Sequence, residues 1–87
     1  MAGPTDSLSD KALSIFAFAA YHSLISGERV ASVIRRDGHG HEADPEGVAE
    51  ITDKGLATCT DEQIAFTAEG EAFVGTVIAS LRAARGR

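Results

Sequence analysis

Residues 54–70 read K-G-L-A-T-C-T-D-E-Q-I-A-F-T-A-E-G, and they are the most informative stretch of the chain for its fold. A lysine–glycine pair ends one amphipathic segment, and two short β-prone stretches then flank the polar turn Asp61-Glu62. Thr67 precedes a long apolar segment, where its hydroxyl can cap a helix. The stretch therefore predicts a helix end, a β-hairpin with strands at about 56–60 and 63–67, and a capped final helix.

The chain before this stretch predicts three helices, over about residues 10–24, 28–36 and 44–54. Ser9 is a candidate N-cap for the first helix, and Gly27 can adopt the left-handed conformation that ends it. The pair Asp44-Pro45 marks the start of the third helix, because aspartate caps and proline fits the first helical position. Gly75 lies inside the final helix at a cost of about 1 kcal/mol against alanine. It therefore predicts a close packing contact there.

Length and composition predict one small globular domain. The 87 residues have a hydrophobic content of 44%, and we assign residues 1–8 to a flexible start and 9–85 to the domain. The single cysteine excludes an internal disulfide and fits a reducing cytosol. The apolar run 12–20 is too short to span a bilayer and has no basic leader. We expect a cytoplasmic protein with no membrane contact.

Two motifs resemble the winged helix-turn-helix superfamily, most closely its MarR-type and PadR-type regulators. Residues 51–56, I-T-D-K-G-L, are similar to the family's "L-x-x-K-G-L", and residues 66–70, F-T-A-E-G, to its "L-T-x-x-G". The resemblance implies a mainly α fold with a small β-hairpin, in the order helix-helix-helix-hairpin-helix. It also implies a transcriptional regulator that places its third helix in the DNA major groove.

The charge distribution opposes that function. Residues 42–71 contain nine acids and one base, a charge of −8, whereas the rest of the chain carries +3. The outward positions of the third helix and the hairpin tip are acidic, although phosphate neutralisation by lysine and arginine supplies most nonspecific DNA affinity. Charge patterning speaks to binding partners rather than to fold. Fold and charge therefore predict different functions.

Two functional hypotheses follow, and we favour the first on the family resemblance. The first is a homodimeric, regulator-like DNA binder that uses Arg29, Ser32, Arg35, Arg36 and Lys54. The second is a protein-interaction module or nucleic-acid mimic that does not bind DNA. Its acidic face, which meets a basic protein partner, consists of Glu46, Glu50, Asp53, Asp61 and Glu62. The broad apolar surface of the first helix predicts a homodimer interface formed by Phe16, Phe18, Ile78 and Leu81.

No catalytic motif is recognisable, so we expect a protein that is not an enzyme and needs no cofactor. His39-Gly40-His41 with Glu42 and Asp44 is a candidate Zn²⁺ or Ni²⁺ chelator. Two glycines in this loop favour a solvated turn instead, so we predict no metal site. Cys59 lies in a predicted strand, and the nearest charged residues that follow it are Asp61 and Glu62, so it is expected to be a buried structural thiol.

Overall fold

The structure is a computed structural model that describes residues 8–36 and 42–85. Within these residues it comprises three helices and one three-stranded antiparallel sheet of strand order β1-β3-β2. In chain order the elements are α1 (Asp10–Ser26), β1 (Ser32–Ile34), α2 (Pro45–Asp53), β2 (Ala57–Cys59), β3 (Gln63–Phe66) and α3 (Ala68–Arg85). The prediction of a mainly α chain with a small hairpin is confirmed, and β1 pairs with the hairpin as a third strand of the sheet.

The first helix begins and ends where its capping residues predict. The Ser9 hydroxyl accepts a hydrogen bond from the Ala12 amide at 3.2 Å, and Gly27 has φ = 85° while its amide donates to the Ser23 carbonyl. Leu8, assigned to a flexible start, instead packs against the core. Leu8 lies directly before the capping residue Ser9.

The predicted second helix is wrong. Residues 32–34 form strand β1, in which Val33 pairs with Ile64 of β3 and is buried between two exposed neighbours. The Phe66 amide continues this pairing by donating to the Ala31 carbonyl at 2.8 Å. Val30, Val33 and Ile34 fit a helical spacing, but β-branched side chains also favour strands, and pairing with β3 decides between the two.

The helix α2 starts and stops as predicted. The Asp44 carboxylate accepts hydrogen bonds from the Glu46 and Gly47 amides at 2.8 and 3.2 Å, and Pro45 occupies the first turn. Gly55 has φ = 74°, a left-handed conformation that L side chains rarely adopt, and it turns the chain out of the helix. The Asp44-Pro45 start and the Gly55 turn therefore determine where α2 begins and ends, and β2 follows directly.

The hairpin closes through a two-residue loop, Asp61-Glu62. Thr60 and Gln63 bracket it, with the Thr60 amide donating to the Gln63 carbonyl at 2.9 Å. The Thr60 hydroxyl also accepts from the Glu62 and Gln63 amides at 3.3 and 3.0 Å. This side-chain hydrogen bonding closes the turn without a glycine. Two acidic residues consequently occupy the tip.

Thr67 joins the hairpin to α3. Its hydroxyl accepts from the Gly70 amide at 3.2 Å, which caps α3 as predicted, and donates to the Gly55 carbonyl at 2.8 Å. One side chain therefore caps α3 and holds its first turn against the end of α2.

The core lies where α1 and α3 cross the sheet. Phe16 is at its centre, with ring centroids 5.4 Å from Phe66 and 4.8 Å from Phe73. Ile51, Leu56, Ile64 and Val74 are fully buried around it. Among the described residues, no helix combines the length and the apolar composition needed to cross a bilayer.

Candidate functional site

Two of the basic residues predicted to contact DNA are engaged within the chain. The Arg35 Nη1 donates to the Thr60 carbonyl at 2.9 Å, and the Arg35 amide donates to the Glu62 carbonyl at 2.7 Å. Arg36 forms an ion pair with Glu42, with Nη2 and Oε2 3.2 Å apart. Arg35 therefore holds β1 against the hairpin tip, and the charge of Arg36 is partly compensated by Glu42.

The remaining predicted DNA contacts lie apart from one another. The Lys54 ammonium pairs with Glu50 at 3.6 Å, one helical turn back on α2. Ser32 is exposed on β1, and Arg29 lies against Gly75 of α3. A helix over residues 28–36 would have placed Arg29, Ser32 and Arg36 along one outward surface. That surface does not exist, because this segment contains β1 and the chain leading into it.

Two residues of the acidic face tie α2 to the start of α1. Glu46 binds the Lys11 ammonium at 2.6 Å. Glu50 accepts from the Ser9 hydroxyl at 2.6 Å and from the Ser9 amide at 3.0 Å. The Ser9 hydroxyl, more than any other neighbour, lowers the pKa of the Glu50 carboxyl below its usual range, and Glu46 raises that of Lys11. Both acids are exposed or half-exposed, but their first role is structural.

The other three acids of this face are free to meet a partner. Asp53 ends α2, and Asp61 and Glu62 form the hairpin tip; all three are exposed. Within the described part of the chain, their carboxylates form no ion pair. Contact between the Thr52 hydroxyl and the Cys59 sulfur, 3.4 Å apart, joins α2 to β2. The unpaired carboxylates thus belong to two elements that are packed side by side.

The predicted dimer interface requires correction. Phe16 is fully buried and Ile78 is 7% exposed, and both contribute to the chain's own core. Phe18 is half-buried, with its ring 4.4 Å from that of His22, whereas Leu81 is 47% exposed. Phe16 and Ile78 are therefore unavailable to a second copy, because they belong to the core of the chain itself, whereas Tyr21 and Ile25 of α1 remain 56% and 64% exposed. The homodimer itself stays a prediction.

The residues weighed as metal ligands, and Cys59, have structural partners where they are described. Asp44 caps α2 and Glu42 pairs with Arg36, while His39 and His41 lie outside the described residues. No three metal-ligating side chains gather anywhere in ranges 8–36 and 42–85. Cys59 is half-buried rather than buried, and its sulfur contacts Thr52.

One feature escaped the sequence-based prediction of sites: a cleft that α1 and α3 form around Gly75. Arg29 and Arg82 both line it. The signal was present in the sequence as a glycine inside a helix, which predicted a close contact but not its partner. The contact is confirmed, and the partner is the Arg29 guanidinium.

Comparison of this chain with protein-family models, with curated proteins and with solved structures gives no match. The geometry of the molecule therefore carries the functional argument.

Acid should weaken the joint between α1 and α2. Because the pKa of Glu50 is lowered in the folded chain, its contribution to stability is complete above the unfolded value of 4.5 and is lost as pH falls through the folded value. Urea unfolding between neutral pH and pH 3 is expected to show this loss in the native protein. Glu50→Gln should be less stable at neutral pH and show a shallower acid decline. A variant with an unchanged acid decline would contradict the assignment.

Proposed function

We propose that this chain is a non-enzymatic interaction module of the winged-helix type whose acidic face binds a basic segment of a protein partner. One observation carries the proposal. Asp53, Asp61 and Glu62 are exposed and unpaired among the described residues, whereas Arg35, Arg36 and Lys54 each have an acceptor within the chain. The surface next to α2 and the hairpin therefore offers carboxylates to a ligand.

The winged-helix part of the proposal rests on the order of α2, the hairpin and α3. Gly55 turns the chain from α2 into β2, and Thr67 caps α3 directly after β3. β1 pairs with the hairpin to complete a small sheet beside the helices. In chain order α2 comes directly before the hairpin, as the third helix does in the resemblance, although β1 stands where the resemblance has its second helix.

Electrostatics favour a basic partner over DNA. A DNA-binding surface neutralises phosphates with lysine and arginine, and affinity falls steeply as that neutralisation is lost. Here the exposed side of α2 carries Glu46, Glu50 and Asp53, and Glu50 already compensates Lys54. A carboxylate can read a base edge only after other contacts have anchored the phosphate backbone. A lysine- or arginine-rich segment meets the same surface without repulsion.

Regulator-like DNA binding is the second candidate function. It is supported by the family resemblance and by Arg29, which forms no ion pair within ranges 8–36 and 42–85. Arg29 lies beside α3 rather than beside α2. DNA contact through Arg29 would therefore leave α2 outside the major groove.

Charge reversal tests the proposed function. Asp53→Lys combined with Glu62→Lys should weaken binding of a lysine-rich peptide on the order of tenfold, because two attractions become repulsions. Both side chains lack partners among the described residues, so the fold should persist. Isothermal titration calorimetry at low and moderate salt measures the affinity.

A matched variant separates position from net charge. Glu28→Lys with Glu69→Lys changes the net charge equally but lies outside the acidic face. This control should bind the peptide with a much smaller loss. Equal losses in the two variants would show that the peptide responds to overall charge, and the proposed face would be wrong.

A further inference from the structure

A cleft of about 330 Å³ lies between the end of α1 and the middle of α3. Gly75 and Ala79, one helical turn apart, supply small residues from α3, and Ser23 and Gly27 supply the end of α1. The acidic face lies elsewhere, because Glu46 and Glu50 contact the opposite end of α1 through Lys11 and Ser9. The ends of the 17-residue helix α1 are about 25 Å apart. The cleft is therefore a separate surface.

Gly75 makes room for an arginine. A Cβ at this position would lie 3.0 Å from Nη1 and 3.8 Å from Cδ of Arg29. The left-handed backbone conformation, which explains Gly27 and Gly55, does not apply to Gly75. A glycine inside a helix costs about 1 kcal/mol against alanine. The absence of a side chain at Gly75 lets the Arg29 side chain pack directly against α3, and this packing limits the motion of its guanidinium.

A second arginine converges on the same place. Arg82 follows Gly75 by seven residues on α3, and both line the cleft. Side chains on a helix lean toward its N-terminus, which is consistent with Arg82 lining the cleft together with Ala79 and Gly75. Glu28 also lines the cleft. Within the described residues, neither Arg29 nor Arg82 forms an ion pair with it or with any other acid.

We propose that this cleft is an oxyanion site that binds a phosphate group between Arg29 and Arg82. Guanidinium groups present planar, paired donors that match phosphate oxygens, and two of them facing one cleft supply several donors at once. The ligand is a free phosphate ion or a phosphomonoester, which share this chemistry. The Glu28 carboxylate also lines the cleft and opposes an anion, so the attraction for phosphate has to come from the two guanidinium groups.

The test is a titration of the ¹⁵N-labelled protein followed by NMR, with inorganic phosphate in one arm and O-phosphoserine in the other. Ionic strength is held constant with sodium chloride. Saturable shifts of the Gly75 and Ala79 amides with either probe support the site. The probe with the lower dissociation constant identifies the source as the free ion or the ester. Absence of localised shifts with both probes would overturn the proposal.

Variants then assign the two arginines. Arg82→Gln should raise the dissociation constant at least tenfold, and Gly75→Ala should raise it several-fold, because the new methyl group displaces the Arg29 guanidinium. Arg35→Gln is the matched control, since Arg35 is bound to the Thr60 carbonyl and should leave the dissociation constant unchanged. Arg82 is exposed, so the unfolding temperature of its variant should equal that of the native protein. Equal effects of Arg35→Gln and Arg82→Gln would overturn the assignment.

Discussion

Gly70→Ala is expected to destabilise the fold by about 3 kcal/mol or more, the largest effect of any single methyl group in this chain that we predict. A Cβ at Gly70 would overlap the Leu56 carbonyl oxygen and lie 3.2 Å from the Phe66 Cβ. The Leu56 carbonyl cannot turn away cheaply, because it accepts the Thr67 amide at 3.0 Å. The added methyl group must therefore separate the first turn of α3 from the base of the hairpin. Urea unfolding measures the loss.

Gly75→Ala is the matched control for this prediction. Both glycines lie inside α3, but the atom that a Cβ would approach at Gly75 is the tip of a flexible arginine rather than backbone. Alanine is more favourable than glycine inside a helix, and this gain should offset the small displacement of Arg29. The free energy of unfolding should therefore stay unchanged or rise by up to about 1 kcal/mol. If Gly70→Ala were as stable as Gly75→Ala, the close contact between α3 and the hairpin base would be refuted.

Phe16→Ala is expected to lower the free energy of unfolding by about 3–5 kcal/mol. Phe16 is fully buried and its ring meets those of Phe66 and Phe73, so its removal leaves a cavity at the junction of α1, the sheet and α3. The loss should be independent of protein concentration, because Phe16 belongs to the chain's own core. Chemical denaturation at two protein concentrations measures both properties.

Leu81→Ala provides the comparison, because Leu81 was predicted to share an interface with Phe16 but is 47% exposed. It should cost less than about 1 kcal/mol. A Phe16→Ala variant of native stability that dissociated a dimer would restore the interface and contradict the assignment of Phe16 to the core.

Local signals predicted the ends of the helices and the hairpin. Ser9, Asp44 and Thr67 cap the three helices, and Gly55 ends α2, because capping depends on residues within one turn of each other. Strand β1 escaped prediction since its pairing partner, Ile64, is distant in sequence from Val33. A short β-branched run has no local signal that separates a strand from a helix.

The same limit applies to the site. The sequence predicted that the acidic residues of α2 and the hairpin share one face, but not which of them contact other residues of the chain. The Glu50 side chain is hydrogen-bonded to Ser9, which is 41 residues away in sequence, and that of Glu46 to Lys11, which is 35 residues away. These contacts divide the acidic face into structural carboxylates and the free set Asp53, Asp61 and Glu62. Gly75 likewise predicted a close neighbour, whereas its identity as Arg29 depends on how α1 meets α3.

The surface of α2 and the hairpin is proposed to bind a basic protein segment rather than DNA. Amide chemical-shift mapping of the ¹⁵N-labelled protein in low salt, with a lysine-rich peptide or a short DNA duplex added, distinguishes the two ligands. We predict that the peptide shifts the amides of Asp53, Asp61 and Glu62 in a saturable way and that the duplex leaves them unmoved. Saturable shifts of these amides by the duplex, lost steeply as salt rises, would contradict the claim.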